Sequence, residues 1–375
     1  MIRICHMTSA HPSDDMRIFQ KECRSLARQK DFEVYLVAQG ESRQESDVIV
    51  TGIGQNPVGR LKRIFSVTKK VYNKAAELNA DIYHIHDPEL LLYARRLKKR
   101  NNIVVFDSHE YYVQQIREKG YIPVYLRKII AFLYKTYETH VVKKIDAVIV
   151  PCTVFGRNPF RKTTKNTILL DNYPILDRSR TFLKRINIRD KKEPKVCYVG
   201  LLSKERGITN LVKACYHAHV KLILAGRFSS NSYMEEVMKM REAECIDYRG
   251  FCDFDEVTEI YRQSDIGSAM LLKVGQYATV ENLPTKAYEY MQVGLPMIMS
   301  DSRYNKQLME ENDFAYLVDP DNIEEISDAI TYIIQHYEET VNKTELANKM
   351  VQEKYNWDTE FQKLLNLYNK LLKRA

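Results

Sequence analysis

The chain of 375 residues lacks the features that define several protein classes. Its seven cysteines are odd in number and form no C-x-x-C pair, which argues against a disulfide framework or a thiolate metal site. No run approaches the roughly 18 apolar residues of a membrane span. The amino terminus, MIRICHMTSAHP, turns polar too early for a signal peptide. We therefore expect a cytoplasmic protein with free thiols.

Motifs for other chemistries are also missing. The chain has no P-loop sequence and no nucleophile elbow. HIHD (84–87) together with His109 suggests a metal cluster, but no third ligand set with metal-binding spacing follows. CDFDE (252–256) imitates a D-x-D metal motif, yet it precedes a helical stretch and is explained by a turn and a helix N-cap. We therefore predict that the protein has no metal ion and no cofactor.

Positive charge is concentrated in one half of the chain, whose net charge is +8 overall. Residues 1–190 contain 34 Lys and Arg against 20 Asp and Glu, whereas the remainder contains 23 against 29. The densest basic stretches are 59–70, 94–102 and 125–144, and the last of these mixes cations with apolar residues. It is either a surface for an anionic membrane or a core-facing amphipathic helix with a solvated basic side. No nucleic-acid module accompanies the charge, so we predict no nucleic-acid partner.

Short β-branched runs alternate with amphipathic stretches, a pattern typical of βαβ units with a parallel sheet. The predicted strands of the first half are IRICHMT, EVYLVAQ, DVIVTGI, DIYHIH, IVVFDSH, AVIVPC and TILLDN, and the predicted helices lie near 15–29, 59–78, 88–99 and 123–144. After a charged stretch, 178–194, the alternation restarts with the strands KVCYVG, KLILAG, CIDYRG, DIGSAML and LPMIMS and with helices near 207–219, 233–242, 255–263, 322–337 and from 344 onward.

This order predicts an α/β protein with two Rossmann-like, doubly wound domains that face a ligand cleft. We place the first domain at 1–185 and the second at 186–355. A C-terminal helix, 356–375, is predicted to pack back on the first domain.

The stretch ENLPTKAYEYMQVGLP (281–296) sets two carboxylates around a probable helix start. Pro284 suits the first turn of a helix, where the free amides bind phosphate. Read alone, the spacing favours a bland interpretation, in which Glu281 is a capping acid and Glu289 a solvated position. Lys286 tips the balance towards a bound anion, because the helix dipole disfavours a cation in the first turn.

A second helix start follows the first strand of the second domain. YVGLLSKERGI has a strand ending at Gly200, then a polar loop, then Arg206 and Gly207 at the beginning of a helix. A guanidinium at that place can bind phosphate with two hydrogen bonds. Two helix N-termini and a cation together predict a diphosphate site.

These motifs resemble those of the retaining nucleotide-sugar glycosyltransferases of family 4, which have the GT-B fold and an E-x(7)-E signature. The resemblance extends over nearly the whole chain through CHMTSAHPSDDMRIFQKECRSLA, DIYHIHDPELL, VVFDSHEYY, LLDNYP, YVGLLSKERGI, LAG, YRGFCDFDEVTEIYRQSDIG and a tryptophan near the last helix.

The resemblance implies a role for each matching residue. Glu281 would contact the donor sugar and Glu289 the ribose, while Arg206 would bind the diphosphate and His109 would lie near the sugar and acceptor. Further residues implied on the donor side are Gly200, Lys204, Asn282, Leu283, Pro284 and Lys286. Those implied on the acceptor side are His11, Pro12, Asp14, Asp15, Asp107 and Glu110.

The chain departs from the family pattern twice. Leu201 stands where many members have an arginine or lysine, so Lys204 or Lys286 would have to supply the missing cation. The glycine-rich N-terminal loop is replaced by TSAHPSDD, which weakens inference about the acceptor.

The resemblance implies a retaining, metal-independent glycosyltransferase. It would move a hexosyl or N-acetylhexosaminyl group from a nucleotide sugar, a UDP-sugar for preference, to a glycan acceptor. A lipid-linked acceptor at the inner face of a bacterial membrane would explain the basic first domain, and would make the enzyme peripheral on that membrane in surface polysaccharide synthesis. Two alternatives stay open, a nucleotide-sugar 2-epimerase of the same fold and a non-catalytic partner subunit.

Overall fold

The computed structural model describes residues 1–54, 63–98, 102–118, 122–154, 157–164, 166–177, 193–274, 277 and 280–373. They form two compact units. Unit 1 comprises Met1–Asn172 and the C-terminal segment from Trp357, and unit 2 comprises Tyr173–Asn356.

Unit 2 begins before the predicted boundary at 185/186, because the Tyr173 ring packs edge-on against Tyr288, with centroids 4.9 Å apart, and against Tyr355 at 5.3 Å. The predicted linker falls on 178–192, outside the described residues, apart from its last two positions. Parts of the predicted helices at 59–78 and 88–99 are also outside them, namely 59–62 and 99.

Unit 1 is built on an eight-stranded sheet in the order β3-β4-β2-β1-β5-β6-β7-β9, parallel except for β3 against β4. The strands are β1 (Ile2–Pro12), β2 (Phe32–Gln39), β3 (Arg43–Glu45), β4 (Val48–Gly52), β5 (Ile82–Ile85), β6 (Ile103–Asp107), β7 (Ala147–Val150), the short β8 (Thr153–Val154), and β9 (Thr167–Leu169). All seven predicted strands of this half are present.

The helices of unit 1 connect these strands. They are α1 (π-helical over Met16–Cys23, then α-helical over Arg24–Ala27), α2 (Arg63–Val67 and Thr68–Glu77), α3 (Pro88–Leu90 and Leu91–Lys98), α4 (Tyr112–Glu118), α5 (Val124–Val142) and the C-terminal α13 (Trp357–Leu372). Asp15 begins α1, because its side chain accepts hydrogen bonds from the amides of Arg17 and Ile18, both at 2.9 Å.

Alternate residues of the unit 1 strands enter separate cores on the two sheet faces. Ile4, Val34 and Ile82 pack with α1 and α13, where Trp357 Nε1 donates to Ser25 Oγ at 2.8 Å. Cys5, Val37 and Tyr83 pack on the other face with α2 and α3. Because both faces are covered, these strands are continuous apolar runs, as expected for a parallel sheet.

Unit 2 has a six-stranded, all-parallel sheet in the order β12-β11-β10-β13-β15-β16. Its strands are β10 (Lys195–Val199), β11 (Lys221–Ala225), β12 (Ile246–Gly250), β13 (Ile266–Ala269), the short β14 (Val280–Glu281), β15 (Met297–Ser300) and β16 (Tyr316–Val318). Its helices are α6 (Ile208–His217), α7 (Asn231–Met238), α8 (Phe254–Gln263), α9 (Thr285–Val293), α10 (Arg303–Glu311), α11 (Ile323–Gln335) and α12 (Tyr337–Glu353), with 3-10 turns at Lys204–Arg206 and Arg241–Cys245.

The predicted α/β fold with Rossmann-like domains is therefore confirmed. Asp253 is the N-cap of α8, in a capping box with Glu256, as the sequence predicted for the CDFDE stretch. No described helix is both long and apolar enough to cross a membrane.

Candidate functional site

Two cations of unit 2 contact the side chain of Tyr198, which is the last buried residue of β10. Lys286, from the first turn of α9, donates from Nζ to Tyr198 Oη at 3.1 Å and lies 4.3 Å from the ring centroid. Arg206 hydrogen-bonds Tyr198 and Tyr277. Among the described residues, no carboxylate forms an ion pair with either cation. The pair therefore has charge available for an anion.

Burial makes the Lys286 ammonium unstable without an anion. The side chain is only 6% exposed. Loss of hydration and repulsion by the neighbouring Arg206 together lower its pKa from 10.5 to about 7, and the smaller effect of Glu289 opposes them. A bound anion would reverse this effect by pairing with the ammonium.

The N-terminus of α9 supplies further anion-binding groups. Pro284 occupies the N-cap with φ −58° and ψ 142°, so the helix begins at Thr285. The sequence placed Pro284 in the first turn instead, and the extended ψ is the reason for the difference. No described side chain caps this terminus, and its first turn has no acidic residue. The amides of Thr285 and Lys286 therefore meet the requirement for phosphate binding.

Backbone loops approach closely beside these cations. Gly226 has φ +130°, and a Cβ there would lie 1.9 Å from the Gly200 carbonyl oxygen. Gly200 itself has φ +136°, and its Cβ position would lie 3.8 Å from Lys286 Nζ. Only glycine allows the loop after β11 to pack on the loop after β10, which keeps the end of β10 next to Lys286.

The structure separates the two lysines that the sequence offered as substitutes at Leu201. Lys204 lies at the surface and pairs with Glu236 at 2.8 Å. Leu201 is 48% exposed, and its carbonyl oxygen accepts a hydrogen bond from Tyr198 Oη at 3.1 Å. Lys286 is therefore the lysine that shares a site with Arg206.

The remaining predicted donor residues lie around α9. Glu281 ends β14 and, like Asn282, is half-buried. Leu283 is buried in the core of unit 2 and contributes packing. Glu289 lies on the second turn of α9 and accepts a hydrogen bond from Tyr261 Oη. Gly207 is the N-cap of α6 with φ +69°, so a second helix begins beside Arg206.

Unit 1 contains a separate buried polar network at the carboxyl ends of its strands. Asp107, the last residue of β6, accepts two hydrogen bonds from Arg17 Nη2, at 2.9 and 3.0 Å, and one from Nε at 3.2 Å. Although burial raises the pKa of a carboxyl, the guanidinium and His109 hold that of Asp107 well below its usual value. Burial and the Asp107 charge instead raise the pKa of Glu22.

Imidazoles connect this network to the unit 1 surface. His6 Nδ1 lies 2.9 Å from His86 Nε2, and His86 Nδ1 lies 2.9 Å from His109 Nε2. His109 Nε2 also lies 3.3 Å from Asp107 Oδ2, and its side chain remains 15% exposed. The structure therefore places His109 at the outer end of a chain of hydrogen-bonded rings.

The N-terminal loop joins the same region. His11 Nδ1 lies 3.2 Å from Asp15 Oδ2, and the His11 and His109 rings are 5.0 Å apart. Burial lowers the pKa of His11, but the Asp15 hydrogen bond and the Asp87 charge outweigh it and raise the pKa overall. At Asp15, burial raises the pKa of the carboxyl, but the hydrogen bond with His11 lowers it, and the result is a pKa of about 2. Glu110 is exposed and accepts a hydrogen bond from Gln115 Nε2, on α4.

Sequence reasoning missed most of this network. The residues it did not select are His6, Arg17 and Glu22, and it considered Asp87 only as part of HIHD. Asp87 accepts a hydrogen bond from Thr8 Oγ1 at 2.8 Å. It also found no third partner for the HIHD histidines, whereas the fold brings His6 and Glu22 beside them. The available signal was RIFQKE after a capping Asp15, which puts an arginine and a glutamate on a helix that covers the sheet.

Known proteins are similar to this chain in both sequence and fold. An uncharacterised glycosyltransferase of Methanocaldococcus jannaschii is 24% identical over 195 residues, which is 50% of this chain and 47% of that relative, so the match spans about half of its length. A sucrose-phosphate synthase from Thermosynechococcus elongatus has 16% identity over the whole of both chains and a TM-score of 0.74. HepE of Anabaena, solved with UDP and glucose, has 13% identity, covers 99% of this chain and 100% of its own, and has a TM-score of 0.73.

Two family models cover most of the sequence. "Glycosyltransferase Family 4" matches residues 19–158, and "Glycosyl transferases group 1" matches residues 179–357. The structural neighbours share the GT-B fold. With these matches in both halves, the chain belongs to the family 4 glycosyltransferases.

Proposed function

We propose that the protein transfers a hexosyl or N-acetylhexosaminyl group from a UDP-sugar to a glycan acceptor, with retention of configuration and without a divalent metal ion at the diphosphate. The observation that carries this proposal is a pair of cations, Arg206 and Lys286, that have no carboxylate partner among the described residues and lie beside the N-terminus of α9, which no described side chain caps. A donor diphosphate would satisfy both cations and the free amides. UDP is the proposed nucleotide because HepE was solved with UDP and glucose.

The residues around α9 suit the two ends of a donor. Glu281 lies in β14, before the helix, and Glu289 lies four residues after Thr285, about 6 Å along the helix axis at 1.5 Å rise per residue. Glu281 would contact sugar hydroxyls, and Glu289, held by Tyr261, would accept from the ribose hydroxyls.

The chemical step follows from diphosphate departure. The C1–oxygen bond to the diphosphate breaks while Arg206, Lys286 and the α9 amides stabilise the negative charge that develops. The acceptor hydroxyl oxygen bonds to C1 on the same face, and its proton passes to the departing phosphate oxygen. His109 is proposed to lie near the sugar and acceptor, with its Nε2 edge held by Asp107 and His86.

A lipid-linked acceptor and a membrane-bound enzyme are proposed from the surface of α5. Four of its exposed apolar side chains form one stripe, with Tyr125 76%, Ile129 55%, Phe132 67% and Leu133 60% exposed. Residues at this spacing share a helix face. Lys128 and Lys135 lie on the same helix, so an apolar stripe flanked by cations suits an anionic membrane surface. This supports surface polysaccharide synthesis at the inner face of a bacterial membrane.

Donor binding provides the first test. A thermal-shift screen of UDP-, GDP-, ADP- and dTDP-sugars should give a shift with a UDP-sugar, and Arg206→Ala should reduce it. Glu281→Gln should abolish most transfer, and EDTA should not affect it. Full activity in both variants, or strict dependence on added Mn²⁺, would contradict the proposed site.

Formation of an epimer from UDP-GlcNAc alone would instead identify an epimerase, and donor binding without turnover with any acceptor would identify a non-catalytic subunit.

A further inference from the structure

Three imidazoles and one carboxylate of unit 1 converge where no solvent reaches. His6, Glu22 and His84 are fully buried and His86 is 1% exposed. The parallel register pairs His6 with His84, and His86 lies two residues further along the chain, just past the end of β5 and on the same side as His84. Glu22 comes from α1, which covers that face.

The donor atoms are spaced as a small cation requires. One donor atom from each of the four side chains lies within 4.8 Å of all the others. Glu22 Oε2 is 3.8 Å from His6 Nδ1, 3.8 Å from His84 Nδ1 and 4.0 Å from His86 Nε2. Donors bonded at about 2.0–2.1 Å in a tetrahedron are about 3.4 Å apart. Glu22 Oε2 would therefore move closer to the rings, and His6 Nδ1 and His86 Nε2, which now lie 2.9 Å apart, would separate. Because Tyr368 Oη lies 2.6 Å from His84 Nδ1, His84 would bind the ion through Nε2.

Some polar atoms of the same side chains have no hydrogen-bond partner among the described residues, although His6 Nδ1, His84 Nδ1 and His86 Nε2 have one. The atoms without a partner are His6 Nε2, His84 Nε2 and both Glu22 oxygens. Arg17 Nε does approach Glu22 Oε1 at 3.2 Å, but the same guanidinium is committed to Asp107. Buried polar atoms without partners are rare in folded proteins, and four in one cluster point to a missing ligand.

The carboxylates beside the imidazoles leave a place for a cation. Among the described residues, the Arg17 guanidinium is the one that contacts both Asp107 and Glu22. It donates three hydrogen bonds to Asp107, so Glu22 has no cation of its own. A divalent ion among the imidazoles would supply one.

We propose that unit 1 binds one Zn²⁺ ion through His6, Glu22, His84 and His86. Imidazole and carboxylate are ligands that zinc accepts in four-coordination. The His84 and His86 rings are now stacked 13° apart with centroids at 4.5 Å, so binding requires them to turn about χ2 until their lone pairs meet at the ion. Tyr368 Oη, 2.6 Å from His84 Nδ1, would orient the His84 ring from the outer shell.

This ion would have a structural role in unit 1. It is a different site from the diphosphate site of unit 2, and it does not rest on the proposed transfer reaction. A buried ion would also resist a chelator such as EDTA on the time scale of an activity assay.

The test uses the tag-free full chain, stripped of metal and then incubated with Zn²⁺ or Co²⁺ and desalted. Elemental analysis should find about one ion per chain, and Co²⁺ should give the intense visible absorption of a four-coordinate site. Zn²⁺ should raise the unfolding temperature. Glu22→Gln and His84→Gln should lose the bound ion, and Tyr368→Phe should weaken its binding by about 10–100-fold.

His217→Gln is the matched control, since this histidine is exposed in unit 2, and it should bind as the unmodified chain does. The unmodified chain decides the outcome even if the ligand variants do not fold. Absence of retained Zn²⁺, or a weak six-coordinate Co²⁺ spectrum, would overturn the proposal and leave a metal-free hydrogen-bonded network.

Discussion

Donor binding should be coupled to proton uptake at Lys286. In the free protein its pKa is about 7, because the side chain is buried beside Arg206. A diphosphate bound between the two cations would restore the charge and raise that pKa towards its ordinary value near 10.5. At pH 8, a group with a pKa of about 7 is roughly nine-tenths neutral, so binding should take up about 0.9 proton per chain. The affinity should fall about 50-fold from pH 7 to pH 9.

The assay is calorimetric titration with a UDP-sugar in buffers of different ionisation enthalpy. The diphosphate of a UDP-sugar is a diester and does not titrate in this range, so proton exchange reports on the protein. Lys286→Met should remove the proton uptake and weaken binding at pH 7. Lys239→Met is the control, because Lys239 is exposed and pairs with Glu235 on the surface of unit 2.

The same variant should stabilise the free protein. The unfolded chain protonates Lys286 up to a pKa of about 10.5, whereas the folded chain resists protonation down to about 7. The destabilisation is therefore complete below pH 7 and disappears above about pH 10.5. It amounts to about 4 kcal/mol at pH 7, so Lys286→Met should raise the free energy of unfolding in urea by up to that amount. Donor binding at pH 8 without proton uptake, together with no stabilisation in Lys286→Met, would refute the reasoning.

Three further predictions follow from individual contacts. Gly226→Ala should destabilise unit 2 by more than about 2 kcal/mol in urea unfolding, since its Cβ would overlap the Gly200 carbonyl, and an unchanged midpoint would contradict that loop packing. Asp15→Asn should lower the pKa of His11 measured by NMR, because the carboxylate that raises it is gone, while Asn still caps α1 and keeps the stability within about 1 kcal/mol. Phe132→Ser with Leu133→Ser should reduce sedimentation with anionic vesicles without changing donor binding, and equal binding of the unmodified chain to neutral vesicles would argue against the membrane proposal.

The sequence was sufficient for the order of strands, because an apolar run buried on both faces of a sheet differs clearly from an amphipathic helix. It also predicted a helix start near Pro284. It did not predict that His6 pairs with His84, because the register between two distant strands depends on how whole faces pack. For the same reason, the sequence did not show that α1 brings Glu22 beside the HIHD histidines.

The sequence also did not show where long side chains would point. Lys204 and Lys286 were equivalent candidates in the sequence, and only the fold distinguishes them. Lys204 is near Glu236 on α7 and is held there at the surface. Lys286 is turned inward by Tyr198, whose ring and hydroxyl both contact its ammonium. Rotamer direction is set by such neighbours and has no signature in the local sequence.

The position of Lys286 also explains how the site tolerates Leu201. A cation in the first turn of a helix is opposed by the dipole, and a cation buried next to a guanidinium is opposed by burial and by repulsion. All three effects weaken when a phosphate lies between Lys286, Arg206 and the α9 amides. In the free protein the helix dipole, burial and repulsion by Arg206 all destabilise the Lys286 ammonium, and a bound phosphate would relieve all three. Lys286 therefore gains more from phosphate binding than an exposed lysine would. A lysine at position 201, on an exposed loop, would lack this difference between free and bound states, so Leu201→Lys should restore little affinity to Lys286→Met at pH 7.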